Sequence, residues 1–161
     1  MRSSAHTGDA ADESLKFPLG LATCVQLDDA ITTAPTIVGG KVYVVDQMGT
    51  AYCIDPKANR IVWKSSPDGK HARGGNTSSA CVANGRVFFG TTAGRLHVLD
   101  AKTGDCVRTF DAGWPITGSP TSANDSIYFQ TVGAIVHCLD LDGKERWRWD
   151  HYGTYVDPKT N

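Results

Sequence analysis

The sequence predicts an all-β protein built from a repeated four-stranded antiparallel unit. The first observation is self-similarity, because segments that start at Ala34, Ser79 and Ser119 superpose in register, with spacings of about 45 and about 40 residues. The second is periodicity: short β-branched and aromatic runs alternate with period two between Gly, Asn and Asp, and no stretch shows the period of a helix. A four-stranded repeat of this length has the size of one β-propeller blade. We therefore expect a partial β-propeller of about three blades.

The repeat also divides the chain into regions. A propeller region is predicted over residues 21–150, preceded by a flexible N-terminal segment at residues 1–20. Residues 151–161 are expected to be a truncated tail or the start of a further hairpin. The predicted blades are residues 34–64, 79–110 and 119–149.

The two ends of the propeller region suggest that strands are missing. Residues 23–27 align with residues 108–112, the end of a blade's outermost strand, so an orphan N-terminal outer strand is expected at residues 21–27. Closed propellers contain about four to eight blades. The missing blades are therefore expected either from the remainder of a larger propeller or from self-association with another copy.

Charge and hydropathy exclude several classes of protein. The 16 Lys and Arg residues nearly balance 17 Asp and Glu residues, which argues against a nucleic-acid partner recruited by net positive charge. No window approaches the run of ~18 apolar residues that a membrane helix needs. The segment from Met1 to Glu13 is polar and lacks the apolar core of a secretory signal. We expect neither a transmembrane segment nor an export signal in this sequence.

An aspartate turn follows the third strand of each unit. In blade 2 it reads Asp100-Ala101-Lys102-Thr103-Gly104, and Asp55 and Asp140 begin the corresponding turns. An Asp side chain at this position can accept hydrogen bonds from the turn backbone, while Gly104 takes the strained conformation. These aspartates are expected to be structural.

A tryptophan accompanies two of the turns. Trp63 follows Asp55 and Trp147 follows Asp140, whereas Arg108 takes this place in blade 2. The pattern resembles the tryptophan-docking repeat of the PQQ-like, or quinoprotein-type, β-propeller family. The resemblance implies that Trp63 and Trp147 dock between blades, on the turns of Asp55 and Asp140.

Two functions of different class follow from the resemblance. Family members include alcohol and glucose dehydrogenases that hold pyrroloquinoline quinone (PQQ) and calcium on the propeller axis, and also non-catalytic propellers that act as scaffolds. The dehydrogenases share a vicinal Cys-Cys disulfide, which this sequence lacks, and it contains no hydrolase, metalloprotease or nucleotide-binding motif. The residues favour a non-catalytic binding or scaffolding module without a cofactor. A part of a PQQ-dependent dehydrogenase remains the alternative.

The cysteines and the compartment form a separate question. Five cysteines without a CxxC motif argue against a disulfide framework and a zinc ribbon. Cys53, Cys106 and Cys138 occupy apolar positions of the repeat and are expected to be buried and inert. Unpaired cysteines fit a reducing compartment, although the family resemblance implies a bacterial extracytoplasmic location. The compartment therefore stays open. The five are Cys24, Cys53, Cys81, Cys106 and Cys138.

One aromatic residue per blade occupies an equivalent position on the third strand. The three are Tyr52, His97 and His137. Equivalent positions in successive blades are too far apart for the ~2 Å bonds of a shared metal ion. Packing between blades, with a satisfied ring nitrogen, is expected for both histidines.

A candidate partner surface is predicted where the chain enters each blade. These lead-in segments, residues 28–31, 73–76 and 113–116, align with one another and should meet on one face beside the channel. An aromatic side chain and mixed charge on a rigid scaffold are typical of a recognition surface. The candidate residues are Asp28, Asp29, Arg73, Asn76 and Trp114.

Overall fold

The computed structural model describes residues 20–69 and 75–153. These residues form three four-stranded antiparallel sheets, each with its strands in chain order, and they contain no helix. The predicted all-β architecture of three blades is confirmed. None of the described residues belongs to a helix of the length and apolarity that a membrane crossing requires.

Each blade is one sheet whose first strand is the shortest. Blade 1 consists of β1 (Thr36–Val38), β2 (Lys41–Val45), β3 (Ala51–Asp55) and β4 (Arg60–Ser65). Blade 2 consists of β5 (Cys81–Ala83), β6 (Arg86–Gly90), β7 (Arg95–Asp100) and β8 (Cys106–Asp111). Blade 3 consists of β9 (Thr121–Ala123), β10 (Ser126–Gln130), β11 (Ile135–Asp140) and β12 (Glu145–Asp150).

The blades share local geometry as well as topology. In every blade the pairing of the third and fourth strands shifts register at the same place, between Cys53 and Ile54 in blade 1 and at the equivalent residues in the other two. The first hairpin of each blade turns through two residues of positive φ, as the Gly and Asn pairs predict. In blade 2 these are Asn84, with φ 46°, and Gly85, with φ 71°.

Two apolar cores lie between the blades. The first joins one face of blade 1, including Tyr43 and Trp63, to Val87 and Phe89 of blade 2. The second joins the opposite face of blade 2 to blade 3, with Ile116 of the connection between them fully buried. Stacking of neighbouring sheets therefore excludes water from these faces, which a single blade would leave exposed.

Side-chain hydroxyls join the inner ends of the blades. The backbone N–H of Ala34 donates to Ser79 Oγ at 3.0 Å, and the backbone N–H of Ser79 donates to Ser119 Oγ at 2.9 Å. These three residues are equivalent in the repeat. Each blade therefore binds the next one through the same hydroxyl position.

The N-terminal part of the propeller region differs in detail from the expected strand. Residues 21–27 pair with no strand of the described chain, so they form no sheet ladder. Thr23, Val25 and Leu27 are half-buried, whereas Cys24 and Gln26 between them are exposed. Val25 and Leu27 pack on the face of blade 1 that carries Val44 and Tyr52. The segment thus covers blade 1 without becoming a strand, because no described strand lies beside it.

Candidate binding surface at the lead-in segments

The three lead-in segments make the same backbone hydrogen bond. Gln47 N–H donates to the carbonyl of Ala30 at 2.8 Å. Thr92 N–H donates to Gly75 at 3.2 Å, and Val132 N–H donates to Pro115 at 2.9 Å. Each donor lies in the hairpin between the second and third strands of the blade being entered. The lead-ins therefore lie at the same end of the three blades, the end that carries these hairpins, which we call the lead-in face.

The last two lead-ins are also held by the blade that they leave. Asn76 N–H donates to the carbonyl of Gln47 at 2.7 Å, and Ile116 N–H donates to Thr91 at 3.0 Å. Backbone bonds on both sides restrict these segments. Side chains on them are presented by a rigid support, which lowers the entropy cost of binding a partner.

Among the described residues of these segments, Trp114 is the most exposed large apolar side chain, ahead of Ile31 at 40%. Its indole covers Gly133, where a Cβ atom would lie 2.7 to 2.9 Å from the ring atoms Cγ, Cδ1 and Cδ2. One side of the ring therefore packs against Gly133, while 53% of the residue stays exposed. Val132 beside it is 54% exposed. Together Trp114 and Val132 form an apolar platform, which we call the Trp114 platform.

The two acidic candidates lie on the first lead-in. Asp28 and Asp29 are both exposed. The Asp28 carboxylate accepts a bond from Lys64 Nζ at 2.9 Å, and its backbone N–H donates to the Tyr52 hydroxyl at 3.3 Å. Asp28 is therefore engaged with blade 1, and Asp29 offers the carboxylate on the surface of this lead-in.

Asn76 does not belong to the surface, and Arg73 lies outside the described residues. Asn76 is fully buried, and its amide donates to the Ser78 carbonyl at 3.0 Å and accepts from Ser78 N–H at 3.1 Å. It occupies the position of Ile116, which is also fully buried. The last residue of these two lead-ins points into the protein, which the sequence pattern did not reveal.

The tryptophan contacts differ from the sequence prediction. Trp63 lies between blades 1 and 2, and its Nε1–H donates to the carbonyl of Ala101 at 3.0 Å. A Cβ atom on Gly104 would lie 2.7 Å from the indole atoms Cδ2 and Cε3. The prediction that Trp63 docks on the Asp55 turn is therefore wrong, because the outer strand of one blade reaches the turn of the next blade.

Among the described residues, no turn of another blade is found against Trp147. It is half-buried and contacts Tyr128 of its own blade, with ring centroids 6.0 Å apart. The Asp140 turn that was predicted to receive it instead contacts the Arg108 side chain, since a Cβ atom on Gly143 would lie 2.9 Å from Arg108 Cδ. The aliphatic part of Arg108 thus fills the tryptophan position at the junction of blades 2 and 3.

The turn aspartates hold their own backbone. Asp55 accepts hydrogen bonds from Lys57 N–H and Ala58 N–H, and Lys41 forms an ion pair with it at 2.8 Å. The bond from Lys41 and the backbone bonds lower the pKa of Asp55 to about 2. Asp100 and Asp140 accept equivalent backbone bonds in their turns. All three carboxylates are therefore used in turn structure.

The two histidines have different partners. His97 Nε2 lies 3.0 Å from the Asp68 carboxylate, and its Nδ1 lies 3.0 Å from Thr109 Oγ1. His137 Nδ1 lies 2.8 Å from Glu145 Oε1, but its buried Nε2 has no hydrogen-bond partner. Burial lowers the pKa of both histidines, against the opposing effect of the neighbouring carboxylate. The expected hydrogen bond to a ring nitrogen is therefore present at both nitrogens of His97 and at one nitrogen of His137.

Asp68 is a structural residue that the sequence analysis missed. Burial raises its pKa, but the hydrogen bonds and charges of Arg95 and His97 outweigh burial and lower it overall. Arg95 pairs with Asp68 at 2.7 Å. Asp68 comes from the longer connection between blades 1 and 2, which has no counterpart between blades 2 and 3. The extra length of this connection is the sequence feature that could have indicated a structural role for its residues.

The cysteine thiols are separate from one another. All five are free; Cys53 and Cys138 are buried, whereas Cys24 and Cys106 are exposed. The expectation of a buried Cys106 is wrong because it starts the outermost strand β8, most of whose residues are exposed in the described part of the chain. Among the described residues no group of three or more His, Cys, Asp or Glu is placed to hold a metal ion.

Comparison with known proteins places these blades among two kinds of propeller protein. A family model described as outer membrane protein assembly factor BamB matches residues 47–157. The chain is also 30% identical over 162 residues to quinohemoprotein alcohol dehydrogenase ADH-IIG of Pseudomonas putida. That match covers 88% of this chain and 22% of the enzyme.

Solved structures agree on the fold. The quinohemoprotein alcohol dehydrogenase ADHIIG from Pseudomonas putida HK5 superposes with a TM-score of 0.71 at 28% identity, over 88% of this chain and 24% of that one. BamB from Moraxella catarrhalis superposes with a TM-score of 0.68 at 16% identity, over 80% of this chain and 39% of that one. The blades therefore correspond to part of a propeller in each of these proteins.

Proposed function

Since this chain belongs to the PQQ-like propeller family described by outer membrane protein assembly factor BamB, we propose that it is a non-catalytic binding or scaffolding module within a larger propeller. The observation that most supports this proposal is the Trp114 platform, an apolar surface held rigidly on the lead-in face. A half-exposed indole on a rigid backbone is typical of an anchor residue in protein recognition. Asp29 adds a negative charge on the same face of the blades.

The chemistry of the described residues supports binding more than catalysis. The turn aspartates and His97 are engaged in structural contacts, and the platform is built from apolar groups and backbone. A protein partner with an exposed apolar side chain is the ligand that suits such a surface. We therefore assign recognition to the lead-in face and structural roles to the turns.

Site-specific crosslinking tests this proposal. Benzoylphenylalanine placed at position 114 should crosslink to a partner in the producing cell, whereas the same group at position 107 should not. Val107 is a matched control because it is 47% exposed but lies on β8, away from the lead-ins. Equal crosslinking at both positions, or none at position 114, would contradict the proposal.

A substitution then measures the contribution of the anchor. Trp114→Ala should weaken association with the crosslinked partner by ~2 kcal/mol or more and leave the melting temperature nearly unchanged. Val107→Ala should affect neither quantity. A large drop in melting temperature for Trp114→Ala would show that the indole is structural.

Part of a PQQ-dependent dehydrogenase is the second candidate, and the match to ADH-IIG favours it. The described residues contain neither a cluster of metal ligands nor paired thiols, so they do not by themselves fit PQQ and calcium. Under this alternative the blades supply framework, and no reaction step is assigned to them. Incubation of the complete propeller protein with PQQ and calcium, followed by gel filtration, distinguishes the two: a stoichiometric quinone spectrum retained on the protein supports the dehydrogenase, and its absence supports the binding module.

A further inference from the structure

Thr109 and His97 form a hydroxyl–imidazole pair on the outer part of blade 2. They are direct partners in the ladder between β7 and β8, so their side chains lie on the same face of the sheet. His97 Nδ1 lies 3.0 Å from Thr109 Oγ1. Thr109 is exposed, whereas only 1% of His97 is exposed. A hydroxyl at the protein surface is thus in contact with a buried imidazole.

Asp68 determines which nitrogen of His97 carries the proton. Its Oδ2 lies 3.0 Å from His97 Nε2. Burial raises the pKa of Asp68, but the hydrogen bonds and charges of Arg95 and His97 lower it overall, so at neutral pH this carboxylate only accepts hydrogen bonds. Burial lowers the pKa of His97, and a neutral imidazole has a single N–H. That N–H lies at Nε2, where it donates to Asp68, and Nδ1 keeps a free lone pair.

The protonation of His97 sets the direction of the hydrogen bond at Thr109. Because Nδ1 is an acceptor, the Thr109 hydroxyl donates its proton to the imidazole. Arg95 pairs with the other oxygen of Asp68 at 2.7 Å, which fixes the carboxylate that orients the ring. A hydroxyl held by a base, with the base oriented by a carboxylate, is the arrangement that activates a nucleophilic hydroxyl.

The other two blades lack this arrangement. The ladder partners at the equivalent positions are Tyr52 and Lys64 in blade 1, and His137 and Arg148 in blade 3. Neither pair contains an aliphatic hydroxyl. Asp68 belongs to the longer connection, which has no counterpart between blades 2 and 3. The repeat therefore does not require this group, since both its hydroxyl and its carboxylate are particular to blade 2.

The Thr109 hydroxyl is open to a reactant from solvent. It lies in a run of four exposed residues that begins at Cys106 on the outermost strand β8. Cys106 Sγ lies 3.6 Å from Thr109 Oγ1, so a second nucleophilic atom stands beside the hydroxyl. A test of reactivity here must therefore resolve the modified atom.

We propose that Thr109 is a covalent modification site whose hydroxyl takes an acyl group from an activated ester. Thr109 Oγ attacks the acyl carbon while its proton passes to His97 Nδ1, and the alkoxide or aryloxide of the ester leaves. The imidazolium then gives this proton to the leaving group, so the products are an ester of Thr109 and a free alcohol or phenol. His97 is the general base, and Asp68 is a positioning residue.

This inference goes beyond the proposed function and is independent of it. One acylation per chain is stoichiometric, so it agrees with a non-catalytic module. The Trp114 crosslinking experiment reports on the lead-in face, and failure of either experiment leaves the result of the other unchanged.

The test uses p-nitrophenyl acetate as the probe. The protein is incubated with it at pH 7.5, and acetylated peptides are mapped by mass spectrometry at successive times. Thr103 is a matched control because it is also an exposed threonine of blade 2, but its hydroxyl donates to Asp105 and not to an imidazole. Thr109 should acquire an acetyl group about a hundred times faster than Thr103, or more.

Three variants assign the roles of the two side chains. Thr109→Val should abolish acetylation at this position, and Thr109→Ser should retain it. Asp68→Asn should slow acetylation of Thr109 about a hundredfold or more, because the amide no longer holds the proton at His97 Nε2. Nitrogen-15 NMR of His97 measures this directly: the proton should move from Nε2 to Nδ1 in Asp68→Asn. Slower acetylation without that movement contradicts the positioning role.

Several outcomes overturn the proposal. Acetylation of Thr109 that is no faster than that of Thr103, or that is unchanged in Asp68→Asn, would show that the hydroxyl is not activated. An acetyl group on Cys106 and not on Thr109 would make the thiol the nucleophile. Both substitutions of Thr109 are at an exposed position and should leave the melting temperature nearly unchanged, which separates lost reactivity from lost folding.

Discussion

Trp63 and Trp147 stand at the same position of the repeat but in different surroundings. Each lies beside a tyrosine of its own blade at nearly the same distance and angle. Trp63 is only 8% exposed because the turn of blade 2 covers it, and its indole N–H has a carbonyl acceptor. Trp147 is only half-buried, with contacts from its own blade. A blade thus sets the orientation of its tryptophan, whereas the neighbouring blade completes its burial.

The largest expected effect is the difference between the two alanine variants. Trp63→Ala removes a buried indole and should lower the free energy of unfolding by about 3–5 kcal/mol. Trp147→Ala removes a partly exposed one and should cost about 1 kcal/mol. Urea unfolding followed by far-UV circular dichroism measures both without depending on tryptophan fluorescence. Equal losses would mean that the two indoles are equally covered in solution.

A smaller loss of stability is expected when Gly104, on which the Trp63 indole packs, is substituted. Gly104→Asn places a Cβ atom 2.7 Å from two indole atoms, and this overpacking should cost about 1–3 kcal/mol. Gly85→Asn is the matched control, because Gly85 also has positive φ and a Cβ atom there would meet no other atom within 4 Å. The control carries only the cost of a side chain at positive φ, about 1 kcal/mol, so Gly104→Asn should lose more stability than Gly85→Asn. Thermal unfolding of the two variants decides whether contact with the indole, and not backbone strain, makes the glycine necessary.

The two internal junctions should differ in their response to acid. Burial lowers the pKa of His97 and His137, so the unfolded chain binds more protons than the folded chain below the ordinary histidine pKa of about 6.5. Stability is therefore complete above that pH and falls as the pH is lowered toward the folded-state pKa values.

Each histidine faces one carboxylate, Glu145 for His137 and Asp68 for His97. His137 should contribute strongly to this dependence because its buried Nε2 has no hydrogen-bond partner among the described residues, whereas both ring nitrogens of His97 have one. Urea unfolding at pH 7.5 and pH 5.5 should show that His137→Phe loses less stability on acidification than the unsubstituted chain. An unchanged pH dependence in His137→Phe would assign the effect to other groups.

The parts of the fold that depend on local sequence were predictable. The two-residue turns at Asn84 and Gly85 and their equivalents require residues that tolerate positive φ. The alternation of strands and turns placed all three blades, since each blade is formed by residues close together in the sequence. The turns predicted from local sequence and the blades predicted from the repeat are therefore consistent with each other in this protein.

The contacts between blades were harder to predict. The seat of Trp63 lies one repeat further along the chain, so spacing within one turn pointed to the wrong aspartate. Asp68 has no repeat equivalent, and its partners become apparent only when blade 2 packs beside the connection. Asn76 resembles a surface residue in sequence, but its amide satisfies the backbone of Ser78 inside the protein.

The direction of docking has a consequence for synthesis on the ribosome. Because each outer strand is covered by a turn that comes later in the chain, a newly made blade emerges before its cover. A repeat of about 40 residues takes roughly 2–8 s to translate at the usual rates. During that interval the nascent chain carries an uncovered tryptophan or apolar face, and it is then open to chaperones or to misassembly with other nascent chains.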